Sequence, residues 1–312
     1  MPQVLDGNAV RDQIKAELRS RIDLLRDRFR TPGLAVVLVG DDPASSIYVR
    51  NKIKTCEELG IYSEAIRPSA AITTEELLAI VESLNQRSDI DGILVQMPLP
   101  RQVDSKRVLD AILPQKDVDG FHPLNVGLLS IGAPGPRSCT PAGVIQILKR
   151  HNISMQGAEA VVVGRSDIVG KPMAMMLIHE SATVTVCHSR TRDLAEVCSR
   201  ADILIAAIGR PAFLHDAHIK HGAVVIDVGI NRITDRAEAE RIWQGNAAKL
   251  AQFEAKGSLL VGDVNPNSME TRASAYTPVP GGVGPLTIAM LMVNAVGLAE
   301  QHACHFGIKL DD

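Results

Sequence analysis

The chain has 312 residues, 46% hydrophobic and 22% charged, with a net charge of −3, which is enough for about two globular domains and gives no electrostatic case for a nucleic-acid or membrane partner. Aromatic residues make up only 3%, so the core must be built from aliphatic side chains and methionine. Five cysteines without a Cys-x-x-Cys pair argue against a disulfide framework and for a reducing cytoplasm, and neither a leader peptide nor a membrane span is expected.

Leu5, Val10, Ile14, Leu18, Ile22, Leu25 and Phe29 recur at helical spacing and predict a long first helix. The apolar run Leu34–Val39 predicts a strand, and 44–59 a helix ended by Gly60. A short strand follows at 61–66, then a helix at 74–86 opened by Thr73 or Thr74 with glutamates in its first turn. Ile90–Met97 reads as a buried strand and Ser105–Leu113 as a helix. The Gly/Pro-rich stretch Gly132–Pro136 marks a domain boundary. A second alternating series then predicts helices at 141–150 and 170–179 and strands at 159–163, 182–187, 203–208 and 223–228. The loop Tyr276–Pro285 leads into a last helix, roughly 286–303. That helix is apolar nearly all round, so it should be buried, and we expect it to pack back on the first domain. The alternation implies an α/β fold with mostly parallel sheets.

Three local patterns carry chemistry. Tyr48 and Lys52 are four apart at the start of a helix, hence on one face, and follow a strand, where open α/β sheets place ligands. Val161–Val163, Gly164-Arg165-Ser166 and the helix beyond Gly170 form a strand, a glycine turn and a helix start, a context suited to phosphate, although the spacing is not Gly-x-Gly-x-x-Gly. The next strand ends at Cys187-His188-Ser189-Arg190. A hydroxyl and a guanidinium there, in place of a carboxylate, suit a 2′-phosphate and favour NADP over NAD.

Four blocks give the chain a resemblance to a known family. They are Val39–Ser45 running into Tyr48 and Lys52, Gly92–Pro100, Lys116–Phe121, and Thr277–Pro285; Asp227–Arg232 agrees as well. Together they resemble the bifunctional methylenetetrahydrofolate dehydrogenase/methenyltetrahydrofolate cyclohydrolase (FolD) family across nearly the whole length. The resemblance implies a catalytic, folate-binding αβα domain over 1–139, completed by the C-terminal helix 286–312. It implies a Rossmann-like NADP-binding domain over 140–285, with a cleft between the two, and a homodimer. It also implies hydride transfer from 5,10-methylenetetrahydrofolate to NADP⁺ and hydrolysis of the methenyl product to the 10-formyl compound used in purine biosynthesis.

By the same resemblance, Lys52 handles protons in the hydrolysis. A lysine facing an apolar cleft and a cationic substrate is expected to have a lowered pKa. Gln96 orients Lys52 without adding charge, Tyr48 stacks on the folate ring system, and Asp119 grips the pterin N–H edge. Pro280 and Gly281 bring backbone close to the substrate. Gly164, Arg165, Ser166, Ser189, Arg190 and Ile230 fall among the cofactor contacts.

The chain departs from the family at 233–258, where Ala239, Ile242, Trp243, Asn246, Ala247 and Leu250 predict an added amphipathic helix, packed on its own domain. His215, His218 and His221 are three apart, but no cysteine or carboxylate cluster completes a metal site there. Three other readings compete: a short-chain dehydrogenase, whose Tyr/Lys pair follows the dinucleotide turn rather than preceding it; a binding protein without catalysis; and a dehydrogenase lacking the hydrolase activity.

Overall fold

The computed structural model describes residues 1–310. Its strands, in chain order, are β1 (Gln3–Val4), β2 (Gly33–Val37), β3 (Tyr62–Ile66), β4 (Gly92–Val95), β5 (Glu159–Val163), β6 (Thr183–Cys187), β7 (Ile203–Ala206), β8 (Val224–Asp227), β9 (Asn231–Ile233), β10 (Leu259–Val261) and β11 (Ala275–Tyr276). The chain forms two compact units. The first holds Asp12–Cys139 and the chain from Ile288 on, and the second Met1–Arg11 with Thr140–Thr287.

In the first unit β3, β2 and β4 form a parallel sheet in that order, with Leu34 opposite Gly92 and Val37 opposite Val95. Every residue of β2 and β4 is buried, as expected for strands covered on both faces and written as unbroken apolar runs. Ala35, Val37, Ile93 and Val95 share a core with Leu77 and Val81 of the helix Thr74–Asn85 and Val108 of the helix Ser105–Ala111. The helix Pro43–Leu59 begins on Asp42, whose carboxylate accepts from Ser45 N–H at 2.7 Å, and ends on Gly60 at φ 75°, a left-handed cap that favours glycine.

The helix Thr74–Asn85 opens on a reciprocal capping box. Thr73 Oγ1 accepts from Glu76 N–H at 3.2 Å, and Thr73 N–H donates to Glu76 Oε2 at 2.8 Å. Thr73→Ala should therefore cost about 1 kcal/mol, read as a lower urea midpoint at unchanged slope; an unmoved midpoint would show that the box adds nothing.

The last helix, Gly284–His305, contributes buried Met292, Ala295, Val296 and Ala299, and it packs on the first unit as expected from its apolar circumference. Asn294 Nδ2 donates to the carbonyls of Val118 at 2.7 Å and Arg137 at 2.8 Å, and Glu300 takes a two-point ion pair from Arg21.

The second unit is a six-stranded, all-parallel sheet in the order β1-β11-β8-β7-β5-β6. The chain reverses direction across the sheet between β5 and β7, which makes their C-terminal ends the topological switch point. The two-residue strands β1 and β11 were not anticipated. The 233–258 segment also differs from the single helix its spacing suggests. It forms two helices, Arg236–Ile242 and Ala247–Lys256, separated by Gly245 at φ 80° and enclosed by the antiparallel pair β9–β10. Ala239, Ile242, Trp243 and Phe253 bury against Ala212, Ile233 and Val261 of the same unit.

Candidate active site

Lys52 lies one turn beyond Tyr48 on the helix Pro43–Leu59. Gln96 is the first residue after β4, and its backbone N–H donates to Val37 O at 2.8 Å. These two elements bring the side chains together, with Lys52 Nζ donating to Gln96 Oε1 at 2.9 Å. Gln96 Nε2 donates to Met97 O at 2.7 Å, which settles the amide orientation and turns its oxygen toward the amine. Tyr48 is 46% exposed, so it is not buried in the core.

Asp119 sits on a turn that Asp117 holds in place. Asp117 pairs in register with Ile93 of β4, and its buried carboxylate accepts from the N–H groups of Gly120 at 3.0 Å and His122 at 2.8 Å and from Asn125 Nδ2 at 2.9 Å. Gly120 is at φ 70°, and a Cβ there would lie 2.8 Å from the Arg137 carbonyl carbon, so the turn requires glycine. Burial pushes the Asp119 carboxyl up to about 6, against the pull of Lys52 and with Asp117 adding to the rise. Burial likewise raises the Cys139 thiol, with Asp119 adding to the rise and Lys52 opposing it. Lys52, Gln96, Asp117, Asp119 and Cys139 thus belong to one polar cluster in the first unit. Asp117, Cys139 and Asn294 were not picked out from sequence; only the position of Asp117 within Lys116–Phe121 hinted at it.

In the second unit Gly164 follows β5 at φ 135°, where a Cβ would lie 2.2 Å from Ala207 O, and a Cβ on Gly170 would lie 2.2 Å from Gly164 O. This leaves a backbone cradle at the switch point, leading into the ten-residue helix Gly170–His179. Ser166 Oγ accepts from the N–H groups of Val169 and Gly170 at 3.2 and 3.3 Å, while Arg165 and Ser166 are exposed. Cradle, exposed guanidinium and helix start fit a dinucleotide pyrophosphate. Ser189 and Arg190 are exposed on the turn after β6, which His188 closes by accepting from Arg190 N–H at 3.1 Å and donating its own N–H to Thr191 Oγ1 at 2.8 Å.

A cavity of about 360 Å³ opens beside the C-terminal end of β8, lined in part by Asp227, Gly229, Ile230, Pro280 and Gly281. Gly281 O accepts from Gly7 N–H at 3.0 Å, and Gly281 is at φ 108°, so the glycine keeps this wall free of strain. Two buried carboxylates that sequence reasoning left unassigned, Asp227 and Asp263, accept backbone N–H groups of the surrounding loops. Burial pushes Asp227 up to about 7, although the N–H groups of Asp263 and Val264 pull it down. His215 and His218 meet edge to face at 4.5 Å.

Comparison with known proteins adds the following. A family model described as tetrahydrofolate dehydrogenase/cyclohydrolase, catalytic domain, matches residues 5–119, and the NAD(P)-binding domain model of the same description matches residues 138–303. The bifunctional protein FolD of Solibacter usitatus is 63% identical over 303 residues, covering 97% of this chain and 99% of its own. That of Koribacter versatilis is 60% identical over 297 residues, covering 95% and 96%. The crystal structure of the bifunctional FolD dehydrogenase/cyclohydrolase from Campylobacter jejuni superposes with a TM-score of 0.87 at 42% identity, covering 96% of this chain and 99% of that one. The Trypanosoma brucei methylenetetrahydrofolate dehydrogenase-cyclohydrolase, solved with NADP cofactor and an inhibitor, gives 0.86 at 36%, with the same coverage of 96% and 99%.

Proposed function

We infer that the chain, which belongs to the tetrahydrofolate dehydrogenase/cyclohydrolase family, is a bifunctional enzyme of one-carbon metabolism. It oxidises 5,10-methylenetetrahydrofolate with NADP⁺ and hydrolyses the resulting 5,10-methenyl cation to 10-formyltetrahydrofolate. NADP⁺, when bound, supplies the hydride acceptor for the first reaction. The chain's own part in that step is binding and orientation: the Gly164 cradle with Arg165 and Ser166 takes the pyrophosphate, Ser189 and Arg190 the 2′-phosphate, and Ile230 borders the cofactor.

The observation that carries the second reaction is the 2.9 Å hydrogen bond between Lys52 and Gln96. Water adds to the amidinium carbon and gives a proton to Lys52, and the ammonium so formed protonates N5 as the C–N5 bond breaks, leaving one proton for solvent. Gln96 holds the amine in place throughout. Tyr48 stacks on the folate rings, Asp119 accepts from adjacent pterin N–H groups, and Pro280 and Gly281 offer backbone to the substrate. Residues 1–139 with 286–312 serve the folate in this reading, although Met1–Arg11 pack with the second unit, and 140–285, with its 233–258 insertion, serve the cofactor. The same reading extends to a homodimer in the cytoplasm whose product feeds formyl transfer in purine biosynthesis. With 5,10-methylenetetrahydrofolate and NADP⁺, chromatography should find NADPH and 10-formyltetrahydrofolate in equal amounts beyond spontaneous hydrolysis. Methenyltetrahydrofolate in place of the formyl product would leave a dehydrogenase alone.

Asp119 gives this reading a pH signature. Its carboxyl titrates at about 6 in the fold, above its ordinary 3.8, so it is an ionised acceptor above that range and a neutral acid below. The KM for folate should be flat from neutral pH upward and rise as the pH falls through about 6, and Asp119→Asn should remove that limb while weakening binding at pH 8. An unchanged limb in the variant would clear Asp119 of the role. Because the folded value is raised, the group's stabilising contribution is complete below 3.8 and is lost as the pH rises through about 6. At pH 8 Asp119→Asn should therefore not lower the melting temperature.

A further inference from the structure

Asp227 and Asp263 are 1% and 0% exposed, yet they lie at the loop end of the parallel sheet, where backbone polar groups usually turn to water. Asp263 Oδ2 accepts from the N–H groups of Ile208 at 2.6 Å and Gly209 at 2.9 Å, and its Oδ1 from Arg210 N–H at 2.8 Å and Asn231 Nδ2 at 3.0 Å. Asp227 Oδ1 accepts from the N–H groups of Gly229 at 3.0 Å and Asp263 at 2.8 Å, and its Oδ2 from Val264 N–H at 2.8 Å. Asp227 N–H donates in turn to Thr277 Oγ1 at 2.8 Å, at the head of the loop Thr277–Pro285. Every partner of the two carboxylates is a donor, four on Asp263 and three on Asp227, so both side chains serve as acceptors for the loops around them.

The surrounding sequence is shaped to admit the two carboxylates. A Cβ on Gly229 would lie 2.3 Å from Asp263 Oδ1, and a Cβ on Gly262 would lie 1.9 Å from Asp227 Oδ2. Each glycine therefore makes room for a carboxylate from the other segment. The carboxylates hold the loops after β7, β8 and β10, and the Asp227 backbone N–H ties in the loop after β11. The loop after β7 borders the switch point through Ala207, and those after β8 and β11 line the 360 Å³ cavity.

We propose that Asp263, backed by Asp227, is a positioning residue of the dehydrogenase reaction: its buried carboxylate presets the backbone of the loops after β7 and β8, against which the nicotinamide half of the cofactor is oriented. The proposal rests on the NADP⁺-dependent reading above. It places the adenosine half elsewhere, at Gly164 and on the turn after β6, and so separates the two halves of the cofactor experimentally. Preorganised backbone of this kind contributes to rate by orientation rather than by contact with the reacting atoms.

The test uses Asp263→Asn, which keeps the shape but turns an amide NH₂ toward backbone donors, and Asn231→Ala, which removes a single donor and leaves the carboxylate. Asp263→Asn should lower dehydrogenase kcat/KM for NADP⁺ by about tenfold or more, and Asn231→Ala by a smaller factor in the same direction. Affinity for adenosine 2′,5′-bisphosphate, which has no nicotinamide, should stay within about twofold, as should hydrolysis of added methenyltetrahydrofolate without cofactor. Unchanged NADP⁺ kinetics in both variants would overturn the proposal. So would loss of adenosine 2′,5′-bisphosphate binding in parallel with NADP⁺, which would mean the pair only holds the unit together. A wild-type protein that does not reduce NADP⁺ would instead remove the functional reading, and this proposal with it.

Discussion

Lys52→Ala should slow hydrolysis of added methenyltetrahydrofolate by about 10² to 10⁴-fold, the usual worth of a positioned general acid–base, while folate still binds. The amine is the one group in the Lys52–Gln96 pair that can take a proton from water and return it to nitrogen. Gln96 spends its oxygen on Lys52 and its NH₂ on Met97 O, and Asp119 is committed to the pterin in this scheme. Hydride transfer needs no proton from the protein, so the variant should retain NADP⁺ reduction and release methenyltetrahydrofolate. The checks are the decay of the methenyl absorbance in the absence of cofactor and a separate binding titration with folate. Hydrolysis at the wild-type rate would remove Lys52 from the mechanism; loss of folate binding together with hydrolysis would make it a binding residue.

The second large effect concerns cofactor choice. Arg190→Ala should raise the KM for NADP⁺ by about tenfold or more and leave that for NAD⁺ nearly unchanged. A charge-assisted contact to phosphate contributes roughly 1.5–3 kcal/mol, and the exposure of Arg190 places its share at the lower end because water and salt screen it. Ser189, next to it on the same turn, adds a hydroxyl donor but no charge. Steady-state kinetics with both cofactors measures the ratio. Equal increases for NADP⁺ and NAD⁺ would assign Arg190 to a part of the cofactor that both share.

Much of this arrangement is legible in the order of residues. The buried strands β2 and β4 announce themselves as unbroken apolar runs, and the helices Pro43–Leu59 and Thr74–Asn85 begin on the side chains of Asp42 and Thr73, whose capping chemistry is local. Lys52 and Tyr48 share a face because both lie on one regular helix. What stayed hidden depends on distant partners. The strands β1 and β11 are two residues each, too short to show an alternating pattern, and exist because each pairs with a neighbour in the sheet. The expected single helix at 233–258 is interrupted at Gly245, whose left-handed backbone outweighs the helical spacing on either side. Asp263 reaches Ile208 across 55 positions, and its N–H meets Asp227 across 36; no spacing rule links carboxylates to loops that far away. In the sequence Asp117 looks like an ordinary turn residue, and only its three donors show that it sets the position of Asp119.

The central claim is that one protein both oxidises and hydrolyses its folate. The most direct measurement is a progress curve with 5,10-methylenetetrahydrofolate and NADP⁺, following NADPH and the methenyl cation at separate wavelengths. NADPH should rise while the methenyl signal stays below the level that spontaneous hydrolysis alone would leave. Methenyl cation accumulating mole for mole with NADPH would contradict the account.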